Sequence, residues 1–94
     1  MSHYLFTIRA TFQLRERGLV ISSDIAIKDA AAKGIRLRVG EAVQLRCSNR
    51  TAMTTQIKGI EFIHPFNPDN TLSFLLPPEI AEKNISVGTE VWSV

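Results

Sequence analysis

Cysteine, histidine and long apolar runs are scarce in this chain, and each scarcity excludes a class of protein. The single cysteine, Cys47, cannot form an internal disulfide, and no CxxC motif or Cys/His cluster is present to hold zinc. With only His3 and His64 as histidines, we expect no metal site. No stretch of 18 uncharged apolar residues occurs, so we expect neither a membrane-spanning helix nor a membrane partner.

Catalytic and nucleotide-binding motifs are also missing. The sequence holds no Gly-x-x-x-x-Gly-Lys-Ser/Thr loop, so we expect no binding of a nucleoside triphosphate. It offers no close pair of acids and no Ser/His/Asp set for nucleophilic catalysis. We therefore expect a non-catalytic protein without a cofactor. Because export signals are not recognisable and the one cysteine is unpaired, we expect it in the cytoplasm.

Alternation of apolar and polar residues is the strongest structural signal that is present. From Tyr4 to Leu14 every second residue is apolar, which predicts a half-buried strand. Its predicted core-facing side carries Tyr4, Phe6, Ile8, Ala10, Phe12 and Leu14. A charged turn at 15–18 predicts a hairpin with a returning strand.

Further along the chain, short apolar runs predict more strands and one helical insertion. The segment from Lys28 to Gly34 is predicted to be helical, with Asp29 capping its start and Gly34 ending it. Strands are predicted at 35–39, 42–47, roughly 54–63, 71–76 and 90–94. At 94 residues and 45% hydrophobic content, we expect residues 1–94 to form one domain. We expect an all-β fold, a small closed or nearly closed antiparallel β-barrel of about six to seven strands with this one short helical insertion.

Charge is unevenly distributed along the chain. Residues 1–50 carry nine Lys/Arg against four Asp/Glu, whereas residues 51–94 carry two against five. A predicted hairpin around Gly40 would present Arg36, Arg38 and Arg46 on one outer face, with Arg50 just beyond it. Such a surface suits RNA or an acidic protein partner, although an ordinary solvated surface is an equally simple interpretation.

Several short motifs, taken in order, resemble those of one known domain. They are Phe12-Gln13-Leu14, Arg17-Gly18-Leu19-Val20, Val39-Gly40-Glu41-Ala42-Val43, Gly59-Ile60-Glu61-Phe62, Phe74-Leu75-Leu76 and Ile85-Ser86-Val87-Gly88. Together they resemble domain 2 of the translational GTPases, the small β-barrel of elongation factor Tu and its relatives. The chain has no counterpart of that family's GTPase domain.

The resemblance implies a site for the terminal adenosine of a tRNA acceptor end. On matching positions it would be formed by Phe12, Leu14, Val20, Ser22, Glu61 and His64. The chain departs from the family at four positions. Ala10 replaces an aspartate, Glu16 a glycine, Leu19 a threonine, and His64 an arginine. Losing that arginine removes a permanently charged donor.

Two functions follow as expectations. The first is a cytoplasmic binding module that contacts RNA or the translation machinery. The second is a protein-interaction module that binds an acidic partner through the arginines or the inserted turn. Alternation alone assigns Phe12 and Leu14 to the core rather than to a ligand site. Exposed side chains at Phe12 and Glu61 would favour the ligand site, and buried side chains would favour a role in the core.

Overall fold

The structure is a computed structural model that describes residues 2–35, 37–47, 51–61, 69–80 and 85–94. Its strands are β1 (Tyr4–Leu14), β2 (Gly18–Ala26), β3 (Ala42–Arg46), β4 (Ala52–Gln56), β5 (Gly59–Glu61), β6 (Thr71–Leu76) and β7 (Glu90–Ser93). One helix, α1 (Ile27–Ala32), follows β2 directly. The predicted antiparallel β architecture with one short helix is confirmed.

The seven strands form a single antiparallel sheet in the order β4-β3-β7-β1-β2-β6-β5. Strands β4 and β5 lie at opposite ends of this order, yet only Ile57 and Lys58 separate them in the chain. The Ile57 N–H donates to the carbonyl of Glu41 at 2.9 Å, and the Lys58 N–H donates to that of Leu75 at 2.8 Å. The sheet must therefore curl until its two edges meet at this corner.

The predicted single strand from about Thr54 to Ile63 is wrong, because the chain changes neighbours at Ile57 and Lys58. Strand β4 pairs with β3, whereas β5 pairs with β6. Within the described ranges β4 and β5 do not pair with each other, so the sheet is not closed. Residues 62 and 63 of the predicted strand lie outside the described residues.

Two irregularities in β1 change which of its residues face the core. Tyr4 pairs with Trp92 and Phe6 with Val91, so Leu5 is an extra residue in β1. Ile8 pairs with Ser23 and Ala10 with Ser22, which makes Arg9 a second extra residue. Each β-bulge reverses the alternation of the strand. Phe6 and Ile8 therefore face the core, while Tyr4 and Phe12 face outward.

The core lies inside the curled sheet and is almost entirely aliphatic and aromatic. The rings of Phe6 and Phe74 stack with their centroids 5.6 Å apart, which joins β1 to β6 across the interior. Around them lie buried apolar side chains from both halves of the sheet, among them Ile8, Leu19, Ile21, Val43, Leu45, Leu76 and Val91. The inward residues of the two halves thus share one core.

The segment between β2 and β3 differs from the sequence prediction. Helix α1 begins at Ile27 without a side-chain cap, so the predicted cap at Asp29 is wrong and that residue lies in the first turn. The predicted strand at 35–39 is also wrong, since the described residues there have no strand pairing. The Glu41 N–H instead donates to the carbonyl of Arg38 at 3.0 Å, which closes a turn around Gly40. Gly40 has φ +90° and Gly88 has φ +99°, a backbone conformation that glycine adopts most easily.

Candidate functional site

The outer face of strands β1, β2, β6 and β5 gathers most of the residues that the sequence proposes as a ligand site. Residues that pair directly across an antiparallel sheet lie on the same face. One row across the four strands consists of Phe12, Val20, Leu75 and Gly59, and the next consists of Ala10, Ser22, Ser73 and Glu61. We call these two rows, with Leu14 beside them, the Phe12 face.

Phe12 is the most prominent apolar group of this face, with 64% of its surface exposed. The prediction that it belongs to the core is wrong, because the bulge at Arg9 turns it outward. Val20 and Leu14 are half-buried beside it. A large exposed aromatic ring on a firm sheet offers a flat surface for stacking, at little cost in side-chain entropy.

Polar groups flank the aromatic ring at the second row of the face. The hydroxyls of Ser22 and Ser73 share a hydrogen bond of 3.0 Å. Glu61 lies next to Ser73 and forms an ion pair with Arg17, the Nη2 to Oε1 distance being 3.3 Å. The Glu61 side chain is 34% exposed and that of Arg17 is 63% exposed, so both groups are accessible to a ligand.

Arg17, Ser73 and Leu75 belong to this face although the sequence does not single them out for it. The ion pair between Arg17 and Glu61 joins residues 44 positions apart. The Nζ of Lys58 reinforces the same corner by donating to the Arg17 carbonyl at 3.4 Å. His64, the sixth proposed ligand residue, lies outside the described residues. Arg17 therefore supplies a charged donor beside the Phe12 face.

Of the four arginines proposed to form one surface, the structure describes Arg38 and Arg46. Arg36 and Arg50 lie outside the described residues. Arg38 is exposed in the turn before β3, whereas Arg46 is half-buried at the last residue of β3. The length of β3, about 13 Å at the usual rise of a strand, separates them. Because the described residues of 35–39 have no strand pairing, the expected hairpin around Gly40 is wrong.

Arg46 lies instead against the aromatic side chain of Trp92. Its guanidinium carbon is 3.9 Å from the centroid of the Trp92 ring. Trp92 also makes an edge-to-face contact with Tyr4, at 5.6 Å between ring centroids. These residues form a second cluster on the outer face of β3, β7 and the start of β1, apart from the Phe12 face.

The helical insertion carries one ion pair. The Nζ of Lys28 lies 2.6 Å from the Oδ1 of Asp69, and both side chains are more than half exposed. The hydrogen bond to Asp69, together with its charge, raises the pKa of Lys28 above the ordinary 10.5. Because the pKa of Lys28 is higher in the folded than in the unfolded state, its ion pair stabilises the folded state fully at pH values below the unfolded-state pKa. This stabilisation is lost as the pH rises through the folded-state pKa. The Lys28 charge is therefore constant at neutral pH.

The described ranges hold neither a metal-binding cluster nor a long apolar helix. No group of three or more His, Cys, Asp or Glu side chains there is arranged to hold a metal ion. None of the helices there combines the length and the apolar composition needed to cross a membrane.

Comparisons with known proteins returned no match for the chain. No protein-family model matches it, no curated protein matches it, and no solved structure matches it. The short motifs and the geometry of the face are therefore the basis for any functional inference.

Proposed function

We propose that the protein is a non-catalytic binding module that holds an unstacked base at the end of an RNA on its Phe12 face. The tRNA acceptor end is the RNA that the resemblance to the elongation factor Tu barrel suggests. The observation that carries the proposal is the position of Phe12, exposed on the same face as Val20, Ser22 and Glu61.

The chemistry of the face suits a base that has left its stack. Single-stranded RNA is commonly recognised by stacking of bases on aromatic rings and by hydrogen bonds to base edges. Phe12 supplies the ring, Glu61 supplies an acceptor for an exocyclic amino group or a ribose hydroxyl, and Ser22 supplies a hydroxyl. Arg17 supplies a cation for the adjoining phosphate.

The curl of the sheet adds support from the fold. Ile57 and Lys58 connect the two edge strands, which is compatible with a nearly closed barrel of the kind found in translation factors. Glu16 has φ +66° in the β1–β2 turn. The family has glycine at this position, and a left-handed backbone is what glycine accommodates most easily. This agreement supports the resemblance, and with it an RNA or translation-machinery partner.

The proposal predicts a loss of RNA affinity when Phe12 is replaced by alanine. Base stacking on an aromatic ring contributes about 1–3 kcal/mol, so the dissociation constant should rise roughly 5- to 150-fold. The measurement is fluorescence anisotropy with an RNA hairpin that ends in an unpaired CCA. A hairpin of the same sequence with a blunt end should bind more weakly to the wild-type protein.

Val87→Ser is the matched control, because Val87 is also 64% exposed but lies in the turn before β7. This variant should keep the wild-type affinity. Equal affinity of the Phe12→Ala variant and the wild type would contradict the proposal. So would recovery from a lysate of a stoichiometric protein complex that survives nuclease, when no RNA is retained. That result would favour the protein-interaction module.

A further inference from the structure

A cavity of about 270 Å³ lies beside Arg46, on the outer side of β3 and β7. It is lined by Ser2, Gln44, Arg46, Ser93 and Val94. Four of these five residues carry polar side chains, and neither aspartate nor glutamate side chains are among them. The cavity lies beside the cluster of Arg46, Trp92 and Tyr4 and shares no residue with the Phe12 face.

Arg46 is held in one orientation at the edge of this cavity. Its Nε donates to the Oε1 of Gln44 at 2.7 Å, and its Nη2 donates to the Oγ of Ser2 at 3.3 Å. Its guanidinium carbon lies 3.9 Å from the centroid of the Trp92 ring, which adds a cation–π contact. An arginine fixed in this way loses little further freedom when it binds a ligand.

The positive charge of Arg46 has no acidic partner in the part of the chain that the structure describes. Glu90, its cross-strand neighbour, keeps its negative charge while its Oε1 accepts the indole N–H of Trp92 at 3.0 Å, but it forms no ion pair with Arg46. Two of the five guanidinium N–H groups are used within the described residues, by Gln44 and Ser2. Its Nη1 and the second N–H of Nη2 can therefore donate to an anion.

The other polar groups of the cavity are also left as donors. The Gln44 oxygen accepts from Arg46, and within the described residues the amide N–H groups of Gln44 can donate to a ligand. The Oγ of Ser2 accepts from Arg46, and the Oγ of Ser93 accepts from the His3 N–H at 2.8 Å. Each hydroxyl retains its own proton to donate. Guanidinium, amide and hydroxyl donors thus line one cavity around a positive charge.

We propose that this cavity is a phosphate-binding site, in which Arg46 takes two oxygens of the phosphate and Ser2, Gln44 or Ser93 takes the others. A phosphate presents more acceptor oxygens than a carboxylate, so it can use a larger share of these donors. The phosphate can come from inorganic phosphate, a free nucleotide or a nucleic-acid backbone. This site does not depend on the function proposed for the Phe12 face.

Trp92 is the only tryptophan of the chain, so its fluorescence reports on the site directly. Inorganic phosphate, 5′-AMP and a short single-stranded RNA are titrated separately, with calorimetry as a second readout. We expect saturable binding of inorganic phosphate to the wild-type protein. Tighter binding of 5′-AMP or of RNA would identify the nucleotide or the backbone as the source of the phosphate.

Arg46→Gln should weaken phosphate binding at least about tenfold in calorimetry, because it removes the charged donors. Arg38→Gln is the matched control, since Arg38 is an exposed arginine in the turn before β3, and this variant should bind phosphate as the wild type does. Arg46→Lys keeps the positive charge but loses the planar guanidinium donors, so its phosphate affinity should lie between those of the Arg46→Gln variant and the wild type.

Three results would overturn the proposed site. The first is that the wild-type protein shows no saturable binding of phosphate, and the second is that the Arg46→Gln variant binds phosphate as tightly as the wild type. The third is that acetate or an oligoglutamate peptide binds as tightly as phosphate. The Phe12→Ala variant should bind phosphate unchanged. A failure at the Phe12 face is therefore distinguishable from a failure here.

Discussion

Replacing Phe6 with alanine should lower the free energy of unfolding by about 3–5 kcal/mol, whereas the same replacement at Phe12 should cost less than about 0.5 kcal/mol. Phe6 is fully buried and stacks on Phe74, so its loss leaves a cavity between β1 and β6. Phe12 is 64% exposed on the same strand. Urea denaturation of the two variants beside the wild type measures both values.

The comparison is sharp because the two phenylalanines are equivalent in the sequence. They are of one residue type, on one strand and six positions apart, so simple alternation places them on the same face. Only the bulge at Arg9 separates them. Equal destabilisation by the two replacements would show that β1 runs without this bulge and that Phe12 is part of the core.

Gly18→Ala should destabilise the protein by roughly 2–5 kcal/mol through strain and overlap. Gly18 begins β2 with φ +130°, a backbone conformation that residues with a Cβ rarely adopt. A Cβ at this position would also overlap the carbonyl oxygen of Leu76 on the neighbouring strand. Thermal denaturation should show a clear drop in the melting temperature.

Gly40→Ala is the control for backbone strain alone. Gly40 also has positive φ, but a Cβ there would meet no atom within 4 Å. Its replacement should cost about 1–2 kcal/mol, the usual penalty for a left-handed residue. If Gly18→Ala were no more costly than Gly40→Ala, the close approach of β2 to Leu76 would be contradicted.

The existence of most strands could be predicted from the sequence, but the reversals within β1 could not. Alternation marks β1 and β2 because one side of each faces the core over several residues. The extra residues Leu5 and Arg9 carry no local mark such as glycine. They are recognised only from the register of β1 against β7 and β2, in which Leu5 and Arg9 are the extra residues. Long-range pairing thus decides which face Phe12 occupies.

The same limit applies to the candidate sites. Motif order indicates Phe12, Val20, Ser22 and Glu61 together, and the pairing of β1, β2, β6 and β5 places them on one face. The ion pair of Arg17 with Glu61 could not be predicted from the sequence, because the two residues are 44 positions apart in the chain. The expected alignment of Arg38 with Arg46 required a strand at 35–39, but the described residues there have no strand pairing and the chain turns at Gly40.

The most direct test of the proposed function is to map RNA binding on the protein surface by NMR. The ¹⁵N-labelled protein is titrated with the hairpin that ends in an unpaired CCA, and amide shifts are recorded. We expect the largest changes along 10–14, 18–22, 59–61 and 73–75, the segments that form the Phe12 face. Changes confined to β3 and β7, or none at saturating RNA, would contradict it.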